Sequence, residues 1–136
     1  MSKATERLNQ FLTAISAMEI ENVQAMFADN VTQFVPFAPE GTPDNIIGKE
    51  AVSATFASLP MMFKSMNYTN IELVETKDEH FAIGFADANA TLVNDKPYHQ
   101  HYVFYVRINE AGLITEYREY MNPIALREAI AQLSQN

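Results

Sequence analysis

The chain predicts an α+β fold in which helices come first and a long, curved antiparallel sheet follows. Two observations carry this. Through residue 63 the apolar residues recur mostly at helical spacing, and from Tyr68 onward the period changes to two. A third observation sets the scale. At 136 residues with 48% hydrophobic and 19% charged residues, the chain is about one domain in size and can bury a real core. One domain spanning 1–136 is the expected organisation, with no internal repeat and no linker.

Leu8, Phe11, Leu12, Ile15 and Met18 form one helical stripe, and Ile20, Val23, Met26 and Phe27 form a second. Glu19 and Glu21 sit in the first turn of the second helix, where carboxylates favour the helix dipole. A short strand over Val31–Val35 follows. Residues 36–48 hold three prolines and two glycines, which break helix and sheet alike and predict a functional loop or rim. Val52, Phe56, Leu59 and Phe63 mark a third helix that Pro60 bends or ends. Four β-rich runs, Tyr68–Thr76, Phe81–Val93, Tyr98–Ile108 and Leu113–Met121, then predict an antiparallel meander. Asn122-Pro123 supplies an N-cap and a proline at N1, and Leu126, Ile130 and Leu133 make a last helical stripe.

Composition also excludes function classes. Nine Lys and Arg against 17 Asp and Glu leave a net charge of −8, which repels phosphate backbones and anionic lipid, so neither nucleic acid nor membrane is an expected partner. No apolar run approaches the roughly 20 residues of a membrane span, and no signal-peptide core opens the chain, so a cytoplasmic location is expected. Without cysteine there is no disulfide, thiolate metal site or thiol nucleophile.

Strand alternation points to an interior. In the run from Phe81, one parity holds Ala82, Gly84, Ala86, Ala88 and Ala90, a flat face expected to pack outward against a second subunit. The other holds Phe81, Ile83, Phe85, Asp87, Asn89 and Thr91, expected to face the core at one end and a cavity at the other. If residues 109–112 close a four-residue hairpin, Tyr102 faces Glu119, and one face carries Tyr98, Gln100, Tyr102, Phe104, Tyr117 and Glu119. A carboxylate then lies inside among tyrosine hydroxyls. His99 and His101 fall on the opposite, outer face; with His80 they make three imidazoles, but no acidic ligand completes a tetrahedral site, so no metal is expected.

Pro97–Tyr102, Gly112-Leu113-Ile114 and Arg118–Pro123 with Leu126-Arg127, set in this order of elements, resemble the nuclear-transport-factor-2-like superfamily, and most closely its SnoaL-like and phenazine-biosynthesis A/B-like branch. The resemblance implies a cone-shaped α+β barrel with a deep, mostly apolar pocket, dimerised through the outer sheet face. It also implies chemistry without a cofactor. Glu119 stands where phenazine-type proteins carry a pocket acid and cyclases an Asp, Tyr98 falls near a pocket tyrosine, and Asp87 matches the second carboxylate of limonene epoxide hydrolase. The departures are at Phe85, where that hydrolase would have Arg, at Thr55 and Leu59, where phenazine-type proteins have His and Ser, and at residues 34–37, which lack the base of ketosteroid isomerase.

The expected function is therefore a small-molecule pocket performing isomerase- or cyclase-type acid–base chemistry on a hydrophobic cyclic or polyketide-like ligand. Glu119 is the expected catalytic acid, assisted by Asp87. Tyr98, Gln100, Tyr102, Phe85, Phe37 and Met62 are the expected ligand contacts, with Pro36-Phe37 at the mouth and the methionine-rich segment 61–66 as a deformable wall. A non-catalytic carrier on the same fold is the competing expectation.

Overall fold

The computed structural model describes residues 1–134; Gln135 and Asn136 of the expected domain lie outside the described residues. Helices α1 (Lys3–Ser16) and α2 (Ile20–Ala25) lead into strand β1 (Phe27–Phe34). The proline-rich stretch holds a short strand β2 (Asn45–Ile47), and helices α3 (Lys49–Ala57) and α4 (Leu59–Met62) follow. The meander is β3 (Phe63–Glu75), β4 (Phe81–Leu92), β5 (Pro97–Ile108) and β6 (Ile114–Tyr120), closed by helix α5 (Pro123–Leu133). The strands form one six-stranded sheet in the order β2-β1-β6-β5-β4-β3, curved but unclosed, so the fold is α+β without a complete barrel.

Local chemistry explains the boundaries. Ser2 caps α1, its Oγ accepting from the Thr5 amide at 3.1 Å. Pro60 lies in the first turn of α4, where a missing amide hydrogen costs nothing, so the expected third helix divides into two short ones and Phe63 opens a strand instead of ending a helix. Asn122 caps α5 by accepting from the Ile124 amide at 3.0 Å. β1 runs parallel to β6 and starts four residues earlier than the sequence suggests.

Helix α1 lies across the concave side of the sheet, burying Leu8, Phe11, Leu12 and Ile15 against it. This overturns the expected orientation of β4. Ala82, Ala86, Ala88 and Ala90 are buried on the concave side, and the space a Cβ would take at Gly84 is filled by Leu8 of the helix, whose Cδ2 would be 2.8 Å away. The flat parity lets a helix approach the sheet; it is not an outer surface. Phe85, Asp87 and Asn89 consequently point outward.

The concave side is closed at its deep end by aromatic rings drawn from five elements. Phe11 lies 5.0 Å from Tyr117, 5.5 Å from Phe56 and 6.1 Å from Phe27, and Phe104 stacks on Tyr117 at 6.2 Å. Tilted and edge-on arrangements of this kind add to the burial energy of the rings.

Candidate functional site

Beside that cluster, with Phe56 shared between the two, a small and partly open cavity of about 110 Å³ remains. Its walls are Ile15 of α1, Phe56 of α3, Leu59 of α4, Phe63, Met66 and Tyr68 of β3, Tyr98 and Tyr102 of β5, Glu119 and Met121 near the end of β6, and Leu126 of α5. In β5 the lining residues alternate with exposed ones, as one parity of a strand does, while in β3 a register shift between Phe63 and Ser65 puts Phe63 and Met66, three residues apart, on the same side. The rings form a rigid wall: Phe63 leans on Tyr98 at 5.3 Å, Tyr68 stands edge-on to Tyr102 at 5.9 Å, and Tyr102 stacks on Phe104 at 5.1 Å.

Among the described residues, Glu119 is the sole ionisable acid or base of ordinary pH in this wall, and no Lys, Arg or His lines it. Protein surrounds its carboxyl, and the side-chain surface left accessible opens onto the cavity. Among the described residues its one hydrogen-bond partner is Tyr117, whose hydroxyl donates to Oε1 at 2.6 Å. Burial raises the Glu119 carboxyl above the ordinary carboxylate range, and the Tyr117 bond opposes this in part. Burial likewise pushes the hydroxyls of Tyr68, Tyr102 and Tyr117 well up, reinforced by the Glu119 charge. Tyr98 also rises by burial, with its Gln100 hydrogen bond acting against the change. The phenols therefore stay protonated across the pH range in which the carboxyl can exchange its proton.

Gln100 is buried, yet it is a clamp behind the site and does not line the cavity. Its Oε1 accepts from the amides of His101 (3.0 Å) and Asn122 (2.8 Å), and its Nε2 donates to the Asn122 carbonyl (3.0 Å) and to Tyr98 Oη (2.7 Å). Both lone pairs of its oxygen and both of its amide hydrogens are thus spent on joining β5 to the start of α5 and holding Tyr98 in place. The clamp positions the helix that brings Leu126 over the cavity.

Other expected contacts lie elsewhere. Asp87 is on the convex face, where Asn70 Nδ2 donates to Oδ2 at 2.8 Å and His101 Nδ1 lies 2.6 Å from Oδ1; these bonds hold its carboxyl below the usual value. Phe85 is 43% exposed on the same face. Both follow from the burial of the alanine parity on the concave side. Phe37 is 54% exposed and rests edge-on against Tyr120 at 5.7 Å, away from the cavity. Met62 is half-buried against the core outside the cavity, while its neighbours Phe63 and Met66 reach in. The hairpin differs too: Glu119 sits opposite Phe104, not Tyr102, because the turn puts Ile108 opposite Ile114 instead of Leu113 and the register shifts once more between Arg107 and Ile108. That shift moves partners along the strand and leaves Glu119 on the inner face.

His99 and His101 are on the outer face, where His99 Nδ1 lies 2.8 Å from Asn89 Oδ1. His80 precedes β4 near Asp78 and Glu110, and among the described residues no group of three His, Asp or Glu is placed to hold a metal. Sequence reasoning did not assign roles to Tyr68 and Tyr117; the available signal was their inward parity relative to Met66 and Glu119.

The profile of the SnoaL-like domain matches residues 8–117. A protein called YesE from Bacillus subtilis is 26% identical over 93% of this chain and 86% of its own length. A PhzA/B-like protein of Pseudomonas aeruginosa is 31% identical over 75% of this chain and 71% of its own length. A Mycobacterium tuberculosis protein solved in complex with estradiol-17beta-hemisuccinate shares the fold, with a TM-score of 0.74 and 24% identity, covering 90% of this chain and 95% of that one. The strand order, the helix laid across the concave face and the profile match over most of the chain agree, and this protein belongs to the SnoaL-like domain family.

Proposed function

We infer that this protein catalyses cofactor-free proton transfer on a hydrophobic carbonyl compound, with Glu119 as the group that takes and returns the proton. The observation that carries the reading is a carboxyl surrounded by protein, raised by burial, opening onto an apolar cavity that no cation among the described residues lines. Such a group is poised between its two protonation states nearer neutral pH than an exposed Glu, as acid–base catalysis requires. The ionised carboxylate takes a proton from the carbon beside the carbonyl. The C–H electron pair becomes a carbon–carbon double bond, and the carbonyl π pair moves onto oxygen, where a phenolic O–H of the wall stabilises it. Protonated Glu119 then returns the proton to the same carbon or, where the substrate has a double bond conjugated with the enolate, to the far carbon of that dienolate, which gives an isomer; either return restores the carboxylate. Asp87, on the convex face, has no part in this sequence.

Exchange of α-hydrogen for deuterium in D2O, followed by NMR on small cyclic ketones, tests the reading directly. Exchange by the wild-type protein that disappears in Glu119→Gln supports it. Ligand binding with no exchange in either protein would instead mark a carrier.

A second copy of the chain is the proposed partner at the convex face. Val74, Ile83, Phe85, Val103 and Tyr105 lie side by side there through the registers of β3, β4 and β5, and Val74 and Phe85 are among the exposed large apolar residues. Contiguous exposed apolar surface of this sort marks an association site. The outcome expected from light scattering is a dimer at micromolar concentration for the wild type and a monomer for Phe85→Arg. A wild-type monomer would remove the proposal.

A further inference from the structure

The cavity that carries the proposed chemistry also limits what can enter it. At about 110 Å³ it is smaller than an engineered cavity of about 150 Å³ that accepts benzene, and well below the roughly 300–1,000 Å³ of sites for drug-sized ligands. The shortfall has a structural origin. Phe11, Phe27, Phe56, Phe104 and Tyr117 fill the deep end of the concave face, leaving open only the segment between Glu119 and the Leu59–Leu126 side. These rings belong to the buried core and are braced by α1, α3 and three strands, so the floor cannot recede without unpacking the interior.

The charge inventory is equally restrictive. An anionic ligand would find no cation among the described residues of the wall and would meet Glu119 itself. Burying it unpaired carries a large desolvation cost. What the wall offers are O–H groups: three tyrosine hydroxyls, from Tyr68, Tyr98 and Tyr102, and the carboxyl of Glu119 in its protonated form. These groups suit a neutral hydrogen-bond acceptor.

Resting on the Glu119 reading, we propose that the site takes a neutral, single-ring carbonyl ligand and excludes both multi-ring and anionic ones. Leu59 and Leu126, the aliphatic residues of α4 and α5 in the wall, set the upper size limit. This differs from the steroid ligand of the M. tuberculosis structure on the same fold.

Two matched series test the proposal by NMR or calorimetric titration. For size, the probes are cyclohexanone, 1-tetralone and estrone; for charge, cyclohexanone, cyclohexylamine and cyclohexanecarboxylate. The wild-type protein is expected to bind cyclohexanone at least tenfold more tightly than estrone and than cyclohexanecarboxylate. Leu126→Ala is expected to bring 1-tetralone within about threefold of cyclohexanone, and Leu59→Ala gives an independent check should that variant fail to fold. Estrone binding as tightly as cyclohexanone, with α-exchange that still depends on Glu119, would overturn the size limit and leave the proposed chemistry standing. Cyclohexylamine or the carboxylate binding more tightly than the ketone would overturn the charge rule. Single-ring ketone binding with the expected selectivity, but no exchange, would uphold the selectivity and refute the chemistry.

Discussion

Glu119→Gln is expected to lower α-proton exchange by on the order of 100- to 10,000-fold, the contribution usual for a positioned acid–base group, while leaving the fold intact. The fold should survive because a carboxamide keeps the acceptor that Tyr117 donates to and removes only the ionisable proton. The pH dependence gives a second, independent readout. As a base, Glu119 works ionised, so the wild-type rate should rise with pH through its elevated folded-state value and then level off. Stability should move the other way. A carboxyl whose folded-state value is raised binds its proton more tightly in the native than in the unfolded state, so its contribution is complete below about 4.5 and is lost as pH climbs through the folded-state value. Thermal melts from pH 4 to pH 8 should therefore show the wild type losing ground relative to Glu119→Gln as pH increases. A constant difference between the two proteins over that range would mean the carboxyl is solvated, and the catalytic reading would fall with it.

The largest expected stability effect is at Phe11. This ring is fully buried and touches Phe27, Phe56 and Tyr117, so Phe11→Ala removes a large apolar side chain from the point where α1, β1, α3 and β6 meet. Substitutions of this kind cost about 3–5 kcal/mol, through lost transfer energy and the void left behind. Against a total stability of about 5–15 kcal/mol, this should lower the melting temperature by roughly 10–20 °C. The effect should also reach the site, because Phe56 lines the cavity and Tyr117 holds Glu119. A drop of less than about 3 °C in a calorimetric scan would show that the aromatic cluster does not organise the core.

Much of this was legible from side-chain order. The helical stripe through Leu8, Phe11, Leu12 and Ile15 predicts the buried face of α1, and all four residues are buried. The inward face of the last hairpin, with Tyr98, Tyr102, Phe104, Tyr117 and Glu119, survives a shift in register because that shift conserves which side of the sheet Glu119 takes. The reading of β4 failed for a specific reason. A row of Ala and Gly says that something comes close, without saying whether it is a helix of the same chain or another subunit; Leu8 seated over Gly84 supplies the answer. Asp87 and Phe85 followed that error outward. Gln100 was placed on the correct face but not in its role, because its partners at Asn122 lie 22 residues along the chain.

What the sequence determined by itself is the order of the main helices and strands, the cap of α5, the acidic balance and the side of the sheet on which Glu119 lies. These are local or periodic properties, settled by the spacing of residues along one segment. Only the tertiary structure decided which face of β4 is interior, how far the aromatic cluster fills the concave side, and that about 110 Å³ remains beside the carboxyl. Those quantities depend on how volumes from five or more separated segments add together in three dimensions, and no spacing rule along a single strand contains that sum.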